Sequence, residues 1–276
     1  MAKRILILLA LALFSFSCGN FNKLMKSSDI DKKYDAALNY YNEGDFYRAG
    51  LLFEDLMPSM TGTDRAEQLQ FYYAYCHYEQ KQYILASSYF RQFFDTYRRS
   101  PKAEEALYMS AYSLYKDAPD FNLDQSNTND AIDEMQNFLN RFPRSEYATQ
   151  ANEVINELRE KLELKAFDNA KLYSKIRKYK AATVAYDNFM KDYPDSDFKE
   201  EAMYRRIEAF YELAEISVYS KQQERYQSVI EVYKEFQKKY PESLLMKDAD
   251  KLYNNADKKI KVIIDATEEV EEKKEA

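Results

Sequence analysis

A polar stretch, KDAPDFNLDQSNTND, contains the residues best suited to bind a metal ion. Asp120, Asn122 and Asp124 have the alternate spacing of an EF-hand loop, in which carboxylate and amide oxygens coordinate calcium. The pattern then fails, because Gln125 stands where the loop needs glycine and Ala131 stands where it needs its last glutamate. The stretch therefore predicts a polar loop between two helices, and no metal is expected.

Cys76 and His77 are the other residues whose types could support catalysis. They are neighbours in sequence, and the chain has 1 His and 2 Cys in total. Proximity in sequence alone does not make a catalytic pair of a cysteine nucleophile and a histidine base. Cys76 is expected to behave as a small buried hydrophobic residue, and His77 as an aromatic packing residue. The chain also contains neither a glycine-rich phosphate loop nor a His-Glu-x-x-His zinc motif. We expect neither an enzyme nor a cofactor.

The N-terminus has the features of a targeting segment. Lys3 and Arg4 precede an apolar run of 12 residues, ILILLALALFSF, which is too short to span a bilayer. Ser17 and Cys18 follow, and this ending resembles a bacterial lipoprotein signal, although Ser15 replaces the usual leucine. The resemblance implies cleavage before Cys18 and acylation, including palmitate, of that cysteine. The alternative is an ordinary secretory signal followed by an unpaired cysteine.

One phrase, Phe-x-x-x-aromatic-Pro-x-Ser-x-x-x-x-x-Ala, recurs along the chain. It begins at Phe138, Phe189 and Phe236, and an earlier copy begins at Phe93 with Arg98 in place of proline. Proline cannot continue a helix, so each phrase predicts one helix end and one helix start. The serines expected to cap the new helices are Ser100, Ser145, Ser196 and Ser243.

A helix with an aromatic-x-x-Ala pattern precedes the phrases at Phe93 and Phe189. The pattern is altered before the other two phrases, where Thr128 replaces the aromatic residue and Val229 replaces the alanine. Another helix, with a small central residue, comes before each of these helices. The clearest copy is YNEGDFYRAGLLFEDLMP, with Gly44 in the turn and Phe46 and Ala49 in register. This arrangement resembles the tetratricopeptide repeat, in which helix pairs stack because one pair cannot bury its own apolar face. With only 4 Gly and 6 Pro, the composition also suits helices. We therefore predict an all-α solenoid of about five tetratricopeptide-type helix pairs with a C-terminal closing helix.

The expected domain organisation follows from these patterns. Residues 1–17 form a signal peptide, and residues 18–29 form a lipid-anchored tether. The solenoid covers residues 30–266, and residues 267–276 form a charged, disordered tail. Within the solenoid, the repeats are 31–60, 64–97, 101–142, 146–193 and 197–240, and the closing helix is 244–266.

Three aromatic trios stand out in the first helices of repeats one to three, which are offset by 37 residues. The trios are Tyr34, Leu38 and Tyr41; Phe71, Tyr75 and Tyr78; and Tyr108, Tyr112 and Tyr115. The spacing i, i+4, i+7 places each trio on one stripe of its helix. In the tetratricopeptide resemblance this stripe faces a concave groove, which would bind aromatic side chains of an extended peptide. The alternative is that the rings only pack between adjacent helices.

The run AIDEMQNFLNRFPRSEYATQA through AFDNAKLYSKIRKYKAATVAYDNFMKDYPDSDFKEEA, together with the lipoprotein signal, repeat number and insertion, resembles the BamD family. These are lipoprotein subunits of the outer-membrane β-barrel assembly machine. The resemblance implies a lipid anchor in the outer membrane, facing the periplasm. It also implies that the N-terminal repeats capture unfolded outer-membrane barrel proteins and that the C-terminal repeats bind POTRA domains of the barrel-forming subunit. Candidate docking residues are Arg177, Lys178, Lys180, Arg225 and Tyr226.

Other classes of function remain open. The net charge of −7 excludes the basic footprint that nucleic acid needs, so no nucleic-acid partner is expected. A periplasmic tetratricopeptide protein that coordinates envelope constriction is one alternative, but that class lacks a lipid anchor. A glycan-binding lipoprotein of a nutrient-uptake system is another. That class stacks sugars on tryptophan, and this chain has 0 Trp.

Overall fold

The computed structural model describes residues 21–275, with side chains described through Glu269. Residues 21–25 form a short helix, and the rest of this part of the chain is built from longer helices joined by turns, without a β-strand. In chain order these are α1 (Ile30–Asn42), α2 (Phe46–Met60), α3 (Asp64–Glu79), α4 (Tyr83–Thr96), α5 (Ala103–Asp117), α6 (Ser126–Arg141), α7 (Ala148–Lys175), α8 (Tyr179–Asp192), α9 (Lys199–Glu215), α10 (Tyr219–Lys239) and α11 (Met246–Glu275). The predicted all-α class of tetratricopeptide-type helix pairs is confirmed.

The helices form two compact units. Unit 1 ends at Arg159 and contains α1 to α6 with the first part of α7, and unit 2 begins at Glu160 and contains the remainder. Each repeated phrase begins with a phenylalanine that lies in the hydrophobic core of its unit. This burial is the physical reason why the phenylalanine recurs. These residues are Phe93 and Phe138 in unit 1, and Phe189 and Phe236 in unit 2.

In three of the described helix pairs, the turn between the two helices holds one residue in the left-handed region. Gly44 has φ 81°, and at the same turn Lys81 has φ 60° and Arg177 has φ 59°. Glycine adopts this conformation without steric cost, whereas Lys81 and Arg177 adopt it against their Cβ atoms. The left-handed backbone places Arg177 at the tip of the turn between α7 and α8.

The phrase serines do not occupy the expected N-cap positions. Helices α5, α7, α9 and α11 each begin three residues after the serine, so the serine starts a turn that leads into the helix. Its hydroxyl accepts a hydrogen bond at 3.0 Å from the backbone N–H two residues on. The same hydroxyl donates to a glutamate of the preceding repeat in three copies: Ser100 to Glu67, Ser196 to Glu163 and Ser243 to Glu200. The serine therefore joins successive repeats as well as ordering the turn.

Replacing Ser196 with alanine is expected to lower the free energy of unfolding by about 1–2 kcal/mol. The change removes the acceptor of the Phe198 N–H and the donor to the Glu163 carboxylate. Urea denaturation followed by far-ultraviolet circular dichroism measures this loss. Ser228→Ala is the matched control, since the Ser228 hydroxyl contacts only the Glu224 carbonyl of its own helix. An equal effect of the two substitutions would contradict the role of Ser196.

Both ends of the expected solenoid need correction. Helix α11 continues to Glu275, whereas we expected it to end near residue 266 and be followed by a disordered tail. The sequence there is rich in Glu and Lys, which have high helix propensity. At the other end, Phe21 lies edge-on to Tyr40 with ring centroids 5.8 Å apart, so the described part of the tether packs on unit 1.

The signal peptide and Cys18 lie outside the described residues. Within residues 21–275, helices that combine the length and apolarity needed to cross a bilayer are absent.

The polar stretch between α5 and α6 is ordered by one buried amide. The Gln125 side-chain nitrogen donates to the carbonyls of Asp120 at 2.8 Å and Leu123 at 3.0 Å, and its oxygen accepts from Thr128 at 2.7 Å. Gln125 therefore closes the loop at the position where an EF-hand carries glycine. In the part of the chain that the structure describes, no group of three or more Asp, Glu, His or Cys side chains is placed to hold a metal ion.

Candidate functional sites

The first member of each aromatic trio lies in the core of unit 1. Tyr34, Phe71 and Tyr108 are all at most 4% exposed. Each is covered by a side chain from the start of the next repeat, at 5.0 Å for Arg65 over Tyr34, 4.7 Å for Lys102 over Phe71 and 4.5 Å for Tyr147 stacked on Tyr108. These three residues therefore pack between repeats. This agrees with the alternative prediction that the rings of the aromatic trios only pack between adjacent helices.

The second and third members of the trios are half-buried. They are Leu38, Tyr41, Tyr75, Tyr78, Tyr112 and Tyr115. Tyr75 is the most constrained of them, since its ring lies edge-on to Phe71 and Phe90 and its hydroxyl donates to Glu105. Burial and this hydrogen bond raise the pKa of Tyr75. Tyr41 packs at 4.6 Å against Tyr72, so it also contributes mainly to packing.

The half-buried rings of Tyr78, Tyr112, Tyr115 and Tyr147 are joined through the buried ring of Tyr108 into a continuous set, which we call the tyrosine ladder: Tyr78, Tyr108, Tyr112, Tyr115 and Tyr147. Tyr112 lies at its centre, 6.4 Å from Tyr78, 5.5 Å from Tyr108 and 5.4 Å from Tyr115. The Tyr115 hydroxyl donates to Glu157 at 2.8 Å, and burial with this bond raises the pKa of Tyr115 to about 12. The half-buried rings of the ladder thus offer neutral aromatic surface from repeat two to the start of repeat four, beside a carboxylate.

Tyr147 was not among the residues predicted from the sequence, although its position in the repeated phrase indicates its contact. Tyr147 lies two positions after the phrase serine, and Lys102 and Phe198 occupy the same position in other copies. Each of them covers the first-helix aromatic of the preceding repeat, as Phe198 does over Phe167 with ring centroids 5.1 Å apart. The equivalence of these positions predicts the contact once the repeats are aligned.

Cys76 and His77 have packing roles. Cys76 is fully buried, and burial raises the pKa of its thiol to about 12, so the reactive thiolate is strongly disfavoured at neutral pH. The His77 ring lies between Tyr73 and Tyr89, with centroids 4.7 and 4.8 Å away, and its Nδ1 is 2.6 Å from the Gln82 side-chain oxygen. Cys76 therefore packs the first repeat against the second, and His77 packs within the second repeat.

In unit 2, three of the five candidate docking residues lie together. Arg177, Lys178 and Lys180 line an open cavity of about 700 Å³ at the turn between α7 and α8. Its apolar lining includes Tyr173, Val184 and Ile216, which are 42%, 52% and 64% exposed. We call these six residues the basic-rimmed surface. Clustered exposed apolar side chains with a charged rim are typical of protein interaction sites.

Arg225 and Tyr226 do not belong to this surface. Tyr226 is fully buried, and its hydroxyl donates to Glu215 at 2.6 Å. The Arg225 guanidinium donates to the Leu213 carbonyl and to the Ser217 hydroxyl, so it closes the turn between α9 and α10. The prediction that this pair docks a partner is corrected, because both side chains are engaged within unit 2.

The described helices define an all-α protein of tetratricopeptide-type helix pairs, and two of its surfaces are candidate binding sites. The family model "YfiO: Outer membrane lipoprotein" matches residues 26–221 of the 276-residue chain. The chain belongs to this family of outer membrane lipoproteins.

Three relatives share the name outer membrane protein assembly factor BamD, which in the Aquifex aeolicus relative is marked putative. The Caulobacter vibrioides relative is 28% identical over 136 residues, which are 49% of this chain and 45% of the relative. The Aquifex aeolicus relative is 26% identical and covers 73% of this chain and 66% of the relative. The Haemophilus influenzae relative is 21% identical and covers 74% of this chain and 82% of the relative. The chain thus spans about half the length of the first relative and most of the third.

Proposed function

We propose that this protein is a non-enzymatic scaffold of outer-membrane protein assembly. In this function it binds the periplasmic POTRA domains of the barrel-forming subunit and receives unfolded barrel proteins for insertion. The observation that carries the proposal is the basic-rimmed surface, since an apolar cavity ringed by Arg177, Lys178 and Lys180 suits an acidic-edged protein domain. Membership of the outer membrane lipoprotein family supports this choice over the envelope-constriction and glycan-binding alternatives.

The tyrosine ladder is the proposed site for the client. A barrel protein's terminal aromatic side chain would stack on Tyr78 and Tyr112, which lie 6.4 Å apart and are half-buried. An aromatic side chain buries about 150–250 Å² and gains about 0.5–1.5 kcal/mol per ring pair beyond the area term. Two favourable ring contacts therefore account for about one decade of affinity or more, at about 1.4 kcal/mol per decade.

Replacing both Tyr78 and Tyr112 with alanine is expected to weaken the binding of a fluorescent peptide from a barrel protein's C-terminus about tenfold or more. The reason is that both stacking partners of its terminal aromatic residue are lost. Fluorescence anisotropy measures the dissociation constant, and a peptide without its last aromatic residue is titrated in parallel. Tyr47→Ala is the control, since Tyr47 is 64% exposed on α2 outside the ladder. Unchanged affinity of the double variant for both peptides would remove the ladder as the client site.

Cys18 is the proposed attachment point of the lipid, and it lies three positions before Phe21. Because Phe21 packs on unit 1, the anchor would hold the first repeat close to the membrane surface. The proposed location is the outer membrane, on its periplasmic side. Two or more acyl chains give stable anchoring, at about 0.8 kcal/mol per buried CH₂.

Cys18→Ala is expected to release the protein from the outer membrane or to leave its signal peptide uncleaved, because the acylated side chain is removed. Membrane fractionation after a high-salt wash, with immunoblotting, measures the distribution. Cys76→Ala is the matched control and should sediment with membranes like the parent, since Cys76 is buried within unit 1. Sedimentation of processed Cys18→Ala protein with outer membranes would refute lipid attachment at this residue.

A further inference from the structure

The exposed apolar side chains of unit 1 are concentrated at one edge. Among the described residues of this unit, five large apolar side chains are exposed, and four of them lie beside the turns within helix pairs. They are Tyr47 at the start of α2, Ile84 and Leu85 at the start of α4, and Leu123 just before α6. The fifth, Ile30, begins α1 and so lies at the end of that helix away from the turn. Exposed apolar side chains grouped in this way mark a contact surface.

Contacts between repeats place these turns on the same side of unit 1. The Gln80 side-chain nitrogen, in the turn after α3, donates to the Phe46 carbonyl at the start of α2 at 3.3 Å. Tyr78, next to the last residue of α3, contacts Tyr112 of α5 with ring centroids 6.4 Å apart. The turns that follow α1, α3 and α5 therefore adjoin one another. We call this side the turn edge of unit 1, and its turns are residues 43–45, 80–82 and 118–125.

The described chain also begins at this edge. Phe21, the first described residue, lies edge-on to Tyr40 near the end of α1. The Arg48 guanidinium near the start of α2 lies 5.6 Å from the centroid of the Phe21 ring. Cys18, the proposed site of lipid attachment, is three residues before Phe21, and three extended residues span at most about 11 Å. A lipid on Cys18 therefore brings the turn edge, and not the opposite edge, to the membrane.

Charge does not favour binding of the turn edge to anionic lipid. The exposed lysines beside its turns are Lys23, Lys81 and Lys116, and the acidic residues there are Glu43, Glu79, Asp117, Asp120 and Asp124. Asp45 and Arg48 pair with each other at 3.1 Å. Anionic lipid attracts segments with a clear excess of basic residues, which this edge lacks. The contact that it can make with a bilayer is therefore apolar.

We propose that the turn edge of unit 1 lies on the surface of the bilayer and inserts Tyr47, Leu85 and Leu123 among the lipids. This orientation rests on the lipid attachment of the proposed function, to which it adds a second contact. Tyrosine is enriched at membrane surfaces because its ring is apolar and its hydroxyl is polar. Each leucine gains free energy by leaving water. Side chains spread over three successive turns also suit a flat bilayer better than a protein partner, whose central contacts cluster.

The orientation places the tyrosine ladder beside the bilayer. Tyr78 is one residue, and Tyr115 two residues, from the end of its helix at the turn edge. A barrel protein bound to the ladder is then held next to the membrane into which it is inserted.

The test measures the depth of single labelled positions in the bilayer. Leu85→Cys and Leu123→Cys place a nitrobenzoxadiazole fluorophore at the turn edge, and Ile30→Cys, also at an exposed position, is the matched control. Cys76 does not take the label, because it is fully buried and burial raises the pKa of its thiol to about 12. Each protein is purified from membranes in detergent and reconstituted into phosphatidylcholine vesicles, with or without brominated acyl chains.

Brominated lipid is expected to lower the emission at residues 85 and 123 about twofold, since an interfacial apolar face reaches about 5–10 Å into the boundary of headgroups and acyl chains. Emission at residue 30 should not change, because the 13 residues of α1 place it about 18 Å from the turn edge. Adding phosphatidylglycerol should not increase the quenching, because the edge has no basic excess.

Flotation of the same vesicles separates this orientation from the lipid attachment. Protein that floats with the vesicles but shows no quenching at residues 85 and 123, or equal quenching at residue 30, overturns the orientation and leaves the attachment intact. Quenching that requires phosphatidylglycerol overturns the apolar contact. Protein that does not float refutes the attachment and the orientation together.

Discussion

Replacing Val184 and Ile216 together with aspartate is expected to reduce capture of the barrel-forming subunit about a hundredfold or more. Both side chains are more than half exposed, at 52% and 64%, so the substitutions should cost unit 2 little stability. In a complex the same positions would be covered, and an unpaired carboxylate buried in an apolar contact is costly. A hundredfold loss corresponds to about 2.8 kcal/mol, which is within the range of central interface residues.

Biolayer interferometry with the immobilised periplasmic domains of the barrel-forming subunit measures this loss. The matched control is Ile84→Asp with Leu85→Asp, since these residues of α4 are also about half exposed, at 50% and 47%, but lie in unit 1. The control should bind like the parent. Retained capture by the Val184 and Ile216 variant, or an equal loss in the control, would place the partner on another surface.

Tyr108→Ala is expected to lower the free energy of unfolding by about 3–5 kcal/mol, the usual cost of truncating a large buried aromatic side chain. The ring is stacked 4.5 Å from Tyr147 and 5.5 Å from Tyr112, and its other neighbour is the core residue Phe138 at 5.4 Å. Removing it would leave a cavity between two repeats. Urea denaturation followed by circular dichroism measures the change.

Tyr108→Phe tests the contribution of the hydroxyl separately from that of the ring. The Tyr108 hydroxyl is buried without a hydrogen-bond partner among the described residues. Removing a buried polar group that makes no hydrogen bond is expected to leave stability unchanged or raise it by up to about 1 kcal/mol. Tyr47→Ala, at a 64% exposed position, should change stability by less than about 0.5 kcal/mol. A loss below about 1 kcal/mol for Tyr108→Ala would show that the ring is a surface residue rather than a packing residue.

The repeated helix pairs of this protein can be predicted from local sequence patterns. A recurring Phe-x-x-x-aromatic-Pro phrase ends one helix and starts the next because proline lacks the N–H that a continuing helix needs. The apolar periodicity is local, so it assigned Phe93, Phe138, Phe189 and Phe236 to helix faces that the structure buries. It could not locate the helix starts to better than three residues, because the serines bind both a turn N–H and a distant glutamate.

Which members of an aromatic stripe remain accessible depends on packing between repeats, which local sequence patterns do not specify. Spacing places Tyr108 and Tyr112 on one face of α5, yet Tyr108 is covered by Tyr147, which lies 39 positions further along the chain. The same limit applies to Tyr226, which we expected to dock a partner beside Arg225 and which is buried by its neighbours in unit 2. Periodicity specifies the direction in which a side chain leaves its helix. Whether another helix meets it there depends on contacts between residues far apart in sequence, and these contacts determine the tyrosine ladder.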